Sequence, residues 1–207
     1  MSFPREKSNK LEYYYNNSPF GPGDAKYLYN IVRHFKPARI IEIGCGNSTL
    51  MIQNAIKQNL KESENYKCHH ICIESYQRPL FGQSGINLIQ KRIEEIDTSL
   101  FTTLQHYDIL FEDTSHMIRP QGDVLFEFLQ LFLIVNPGVI IHIHDIFTPN
   151  EYPDAWLNRH LLWNEQYLLE ALSLNDHFEV TGAINYLFHY HKEKLFEKCP
   201  VLAKRND

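Results

Sequence analysis

The apolar positions of this 207-residue chain fall into short continuous runs separated by stretches of helical periodicity. Residues 39–43, His70–Glu74, Tyr107–Asp113 and Val139–His144 read as buried strands, with a further strand within Ile86–Lys91 and a sixth at Phe178–Thr181. Between them, Leu28, Ile31, Val32 and Phe35 follow a helical period that Asp24 is placed to cap and Pro37 to end. Helices are also predicted from about Ser48 to Gln58, over 121–134 (Val124, Phe126, Leu129, Phe132, Leu133), and from about Trp163 to Leu174. Beyond Thr181, helix and strand readings compete. Strands that alternate with helices and lack in–out alternation predict an α/β fold. The expected form is a Rossmann-like, doubly wound, mostly parallel sheet with helices on both faces. Residues 1–19 are polar and tyrosine-rich and read as an arm or lid, leaving one domain over 20–207.

Composition narrows the classes. A net charge of -5 without a basic stripe gives no reason to expect nucleic acid. No apolar run approaches the roughly 20 residues a membrane span needs. The start, Met1-Ser2-Phe3-Pro4-Arg5, lacks the apolar core of a secretory signal, and the four cysteines are irregularly spaced. The expectation is a cytoplasmic protein acting on a small molecule, with no membrane and no nucleic acid partner; a homodimer is compatible with this reading. Cys68-His69-His70-Ile71-Cys72 is read as strand rather than as a zinc site, because neighbouring strand residues point to opposite faces.

In parallel sheets of this kind ligands bind outside the carboxyl ends of the strands. Those ends carry Gly44–Ser48, Glu74, Asp113–His116 and His144-Asp145. In Glu42-Ile43-Gly44-Cys45-Gly46-Asn47-Ser48-Thr49, two glycines let a ligand approach the backbone, and a hydroxyl pair can open a helix facing it. Thr49 stands where a dinucleotide fingerprint places its third glycine, which argues against a nicotinamide-dependent oxidoreductase. Glu42 and the turn suit the ammonium and carboxylate of an amino-acid moiety, and Glu74 suits a ribose. Gly44→Val is then expected to abolish cofactor binding in a domain that still folds.

Asp113, His116, His144 and Asp145 form a second constellation. Carboxylates and imidazoles at adjacent strand ends can hold a divalent cation such as Mg²⁺ and leave room for a hydroxylated substrate. Alternatively, a histidine takes the substrate proton as general base. His142, deeper in the same strand, is read as a hydrogen-bonded core residue. The long loop 145–160 and the following turn offer Tyr152, Trp156 and Trp163 as walls of a substrate pocket, with Glu165 and Gln166 as polar contacts. Packing of that helix on the sheet is the competing reading.

The set Glu42–Thr49, Glu74, Asp113-Thr114-Ser115-His116, Asp123 and Gly138–Asp145 resembles class I S-adenosylmethionine-dependent methyltransferases over about residues 20–182. Within them it resembles the small-molecule O-methyltransferases of natural-product pathways. The resemblance implies S-adenosylmethionine as cofactor, held by Glu42, Gly44, Gly46, Ser48 and Glu74, with Ser48 in place of the usual third glycine. It implies catalysis by Asp113, His116 and His144, with Asp113, His116, His144 and Asp145 as cation ligands; many relatives carry Asp-Asn or Asp-Asp where this chain has His144-Asp145. A metal-independent N- or C-methyltransferase and a non-catalytic S-adenosylmethionine-binding module are the alternatives.

Overall fold

The computed structural model describes residues 3–9, 11–77, 86–174 and 176–205. Residues 1, 2 and 10 of the expected arm, and residues 175, 206, 207 and 78–85 of the expected domain, lie outside the described residues.

Strands β1 (Arg39–Ile43), β2 (His69–Ile73), β3 (Asn87–Ile89), β4 (Ile109–Glu112) and β5 (Ile140–Ile143) form one sheet in the order β3-β2-β1-β4-β5. Every pairing is parallel. The chain winds one way from β1 to β3 and returns to lay β4 on the other side of β1. A crevice therefore opens between the carboxyl ends of β1 and β4, the switch point at which such sheets bind ligands.

Residues two apart share a face, which sorts the core. Ile40, Ile109 and Phe111 pack on one face against Leu28 and Val32 of α1 (Pro22–Phe35) and Met51 and Ile52 of α2 (Asn47–Glu62). Ile41, Ile43 and Leu110 pack on the other against Val124, Phe128, Leu131 and Phe132. Each fully buried side chain of this size contributes about 1.5–3 kcal/mol. The second-face helix runs as α3 (Asp123–Phe126), a π-helical stretch (Glu127–Leu131) and α4 (Phe132–Ile134).

Three local expectations are corrected. The buried stripe of the 123–134 helix is Val124, Glu127, Phe128, Leu131 and Phe132, while Leu129 and Leu133 are exposed. A stripe drawn from apolar residues alone passes over the buried acid Glu127. Residues 178–181 form no strand, so β5 has no sixth strand beside it among the described residues. Helices α7 (Ile184–Tyr190) and α8 (Lys192–Lys198) follow. Asp24 is not the cap of α1: the helix starts two residues earlier, with Pro22 preset for the first turn. His142 lies against the rings of Phe111 and Tyr27, with centroids 4.9 and 5.9 Å away, and burial pushes its imidazole down to about 3.

Between β5 and α7 lie α5 (Asp154–Leu157) and α6 (Glu165–Ser173). The arm packs as part of the fold. Tyr13 and Phe20 are buried, and Phe3 meets Tyr13, Tyr15 and Tyr29 edge-on with centroids 5.6–5.9 Å apart. Among the described residues no helix is long and apolar enough to cross a membrane.

Candidate active site

β1 ends in Gly44 at φ +83°, where a Cβ would lie 1.9 Å from the carbonyl oxygen of Asp113. Gly44 is thus required by the close passage of β1's exit against β4's. Gly46 is different: a Cβ there meets nothing within 4 Å, so this residue faces open space. The open space at this turn lies at Gly46, and the expectation that a side chain at Gly44 leaves a folded domain is corrected.

Glu42 is fully buried on the α2 side of β1. Its Oε1 accepts from Ser48 Oγ at 2.6 Å and Thr49 Oγ1 at 2.9 Å, and its Oε2 from His70 Nε2 at 2.8 Å and Cys72 Sγ at 3.4 Å. Gln53 Nε2 donates to His70 Nδ1 at 2.8 Å, which leaves the Nε2 proton for Glu42. Glu42, His70 and Cys72 lie close enough together to hold a metal, but the hydrogen bonds already satisfy the carboxylate. The Glu42 carboxylate and the Ser48 hydroxyl are thus engaged within the fold, where they shape the turn. Glu74 closes β2 at the other side of the turn, its Oε2 accepting from the Cys45 N–H at 3.3 Å and its Oε1 from the Tyr76 N–H at 2.9 Å.

Across the crevice, Asp113, His116, His144 and Asp145 come together. His116 Nε2 lies 3.2 Å from Asp113 Oδ1 and 3.9 Å from Asp145 Oδ2. His144 Nδ1 lies 3.3 Å from Asp145 Oδ2 and 3.6 Å from Asp113 Oδ1, without a well-aligned hydrogen bond. His116 and Asp145 hold positive φ, +58° and +56°. Non-glycine residues in that region cost free energy and gather at sites that over-determine them. Burial opposes a charge on either imidazole, but the flanking carboxylates win: His116 is pushed up to about 10 by Asp113 and Glu165, and His144 rises through Asp113 and Asp145. Burial would raise Asp113 too, but the two imidazoles hold it well below the usual carboxylate range.

Several residues at the site carried no chemical signal in the sequence reading. Phe20 lies against the His144 ring with centroids 5.0 Å apart, and Asp24 Oδ2 is 4.0 Å from His144 Nε2. On the second face of the sheet, Glu112 and Glu127 are fully buried and share Thr114, whose hydroxyl lies 2.9 Å from Glu112 and 3.2 Å from Glu127. Burial raises both carboxyls, Glu127 to about 8, and the neighbouring acids hold Glu112 well above its ordinary value. Glu127 was detectable in principle: it occupies the i+3 place of the Val124 stripe. Asp123 accepts from Ser115 N–H at 3.0 Å and Ser115 Oγ at 2.6 Å, fixing the loop that carries His116.

The expected substrate wall is mostly internal packing. Tyr152 is buried and its hydroxyl accepts from the Gln166 N–H at 3.3 Å. Gln166 pins the 147–150 loop through the Phe147 N–H and the Asn150 carbonyl. Trp156 meets Phe147 and Trp163 edge-on. Glu165 is fully buried, with Oε1 2.5 Å from His116 Nδ1. The polar contacts expected of Glu165 and Gln166 toward a substrate are thus made within the protein.

A parallel sheet in this order, a glycine turn at β1 and acids at the ends of β2 and β4 are the features of a methyltransferase domain. Residues 41–146 match the family described as a methyltransferase domain, and the chain belongs to it. An uncharacterized protein of Archaeoglobus fulgidus is 31% identical over 105 residues, covering 48% of this chain. The chain thus spans 46% of the length of that relative. A solved structure described as the CmcI-N160 apo-structure is 16% identical, with a TM-score of 0.43, covering 74% of this chain and 60% of its own.

Proposed function

We propose that the protein transfers the methyl group of S-adenosylmethionine to a hydroxyl oxygen of a small natural-product-like acceptor, assisted by a divalent cation at the ends of β4 and β5. The observation that carries this reading is the opposition of two unlike walls across the β1–β4 crevice. One is a glycine turn with open space at Gly46, and the other holds the four polar side chains Asp113, His116, His144 and Asp145.

The cofactor fits the first wall. Gly46 leaves the gap that the methionine part needs, and Glu74 presents a carboxylate beside the turn for the ribose hydroxyls. Glu42, Ser48 and Thr49 hold that turn rigid from beneath. A cation fits the second wall: ligand atoms of Asp113, His116 and Asp145 all lie within 4.8 Å of one another, and the buried His144 Nδ1 lacks a hydrogen-bond partner. A bound divalent cation supplies positive charge that lowers the pKa of an acceptor hydroxyl.

In the reaction a bond forms between the acceptor oxygen and the methyl carbon while the carbon–sulfur bond breaks. The sulfonium becomes a thioether, and the acceptor proton is released to water. The protein's contribution is alignment of oxygen, carbon and sulfur and exclusion of water. Calorimetry with S-adenosylmethionine and NAD, followed by methyl-label transfer to a panel of hydroxylated acceptors with and without chelator, tests the reading. Binding of S-adenosylmethionine alone and chelator-sensitive O-methylation are expected. Chelator-resistant transfer to nitrogen or carbon would replace the proposed reaction, and binding without any turnover would make the protein a cofactor-binding module.

A further inference from the structure

The acceptor wall includes a residue that touches it only through another. Glu165 opens α6, and the residues before it are sewn to the His116 loop. Asn164 N–H donates to the His116 carbonyl at 3.0 Å, and the Ile118 N–H donates to Asn164 Oδ1 at 2.6 Å. Trp163 covers a face of the His116 ring, with centroids 4.2 Å apart. Glu165 takes the ring's Nδ1 edge at 2.5 Å, so the Nε2 edge is turned to Asp113 and Asp145. The other Glu165 oxygen, Oε2, is buried with no hydrogen-bond partner. An acid at a helix start ordinarily needs no such burial, since the helix end favours it in solvent. A fully buried carboxylate with an unmet oxygen costs free energy, and the contact it secures is the one to His116.

We propose that Glu165 is a positioning residue, whose carboxylate fixes His116 so that Nε2 is presented to a divalent cation held with Asp113 and Asp145. The inference rests on the cation reading above. The arrangement is that of a carboxylate–histidine–metal triad, in which the outer carboxylate sets ring orientation and ligand basicity, and its loss typically weakens metal binding about 10–100-fold. An imidazole among the donors also disfavours Mg²⁺, which prefers an all-oxygen shell, relative to first-row ions, with Co²⁺ above Mn²⁺ in the affinity order.

The test is titration of the full chain with Mn²⁺ and Mg²⁺ by calorimetry, for the native protein, Glu165→Leu and Glu165→Gln. The native protein is expected to bind Mn²⁺ more tightly than Mg²⁺. Glu165→Leu is expected to lose about 10–100-fold in Mn²⁺ affinity while keeping native S-adenosylmethionine affinity, which reports the fold. Glu165→Gln, which can still accept from Nδ1–H, should recover part of the loss. With Co²⁺, Glu165→Leu should also shift the visible absorption of the bound ion, as a lost nitrogen ligand does. Native Mn²⁺ affinity and an unshifted Co²⁺ spectrum in Glu165→Leu would overturn the positioning role while leaving the cation reading intact. Failure of the native protein to bind either ion would overturn both.

Discussion

Two glycines one residue apart carry opposite predictions. A methyl group at Gly44 would sit 1.9 Å from the Asp113 carbonyl oxygen, on a residue at φ +83°. The left-handed backbone costs a side chain about 1–2 kcal/mol, and forcing the strand exits apart costs about 1–3 kcal/mol more. Gly44→Ala should therefore lose about 2–5 kcal/mol of stability. In a chain of this size each kcal/mol moves Tm by about 2–4 °C, so a fall of roughly 4–20 °C is expected. Gly46→Ala meets nothing within 4 Å. Its stability should stay within about 0.5 kcal/mol, so its Tm should move by no more than about 2 °C. The same methyl group occupies the gap assigned to the cofactor, and a steric cost of about 1–3 kcal/mol weakens S-adenosylmethionine by roughly 5–150-fold. Thermal unfolding and calorimetric titration of the two variants side by side check the argument. Gly46→Ala that binds the cofactor as the native protein does, or melts as early as Gly44→Ala, would refute it.

The remaining predictions concern the acceptor wall. Asp113→Asn/Asp145→Asn should bind S-adenosylmethionine within about twofold of native yet lose transfer by about 10²-fold or more; native turnover would remove these acids from the reaction. Stability in cation-free buffer should fall as pH rises. Glu127, with its carboxyl raised from 4.5 to about 8 chiefly by burial, favours folding while protonated, and that advantage disappears as pH climbs through 8. His116, raised by its carboxylate partners, contributes fully below 6.5 and loses its contribution as pH passes 10. Urea unfolding should then show Glu127→Gln more stable than native at pH 9 by a larger margin than at pH 5, and a pH-independent difference would contradict the burial argument. Mn²⁺ affinity should rise between pH 6.5 and 8.5, with proton release on binding, because the ion displaces protons from His116 and His144. A flat affinity would exclude both imidazoles as ligands.

The sheet was legible because parallel strands buried on both faces write themselves as continuous apolar runs, and β1, β2, β4 and β5 lie within two residues of the expected runs at each end. The stretch 178–181 has the same local look but no neighbouring strand to complete a ladder, so its pattern had no tertiary support. At the site, the convergence of Asp113, His116, His144 and Asp145 followed from strand ends alone, since adjacency in a doubly wound sheet places them together. What each side chain does with its polar atoms did not follow. Glu42 is written as a strand-end acid in front of a turn, but the register that sets it opposite Cys72 brings His70 and Cys72 onto its face. Glu165 reads as a polar contact to substrate, and only the path of the 114–118 loop reveals that it meets His116 instead. Long-range pairings of buried polar groups depend on loop paths, and loops carry no periodicity from which to infer them.

The central claim is that the β1–β4 crevice holds S-adenosylmethionine with its sulfur turned toward the Asp113–His116–His144–Asp145 wall. A crystal structure with S-adenosylhomocysteine and Mn²⁺ tests it most directly. The account predicts the methionine part against Gly46, the ribose hydroxyls on Glu74, and anomalous density for Mn²⁺ beside Asp113, His116 and Asp145. Product bound elsewhere, or with its sulfur facing away from those residues, would contradict it.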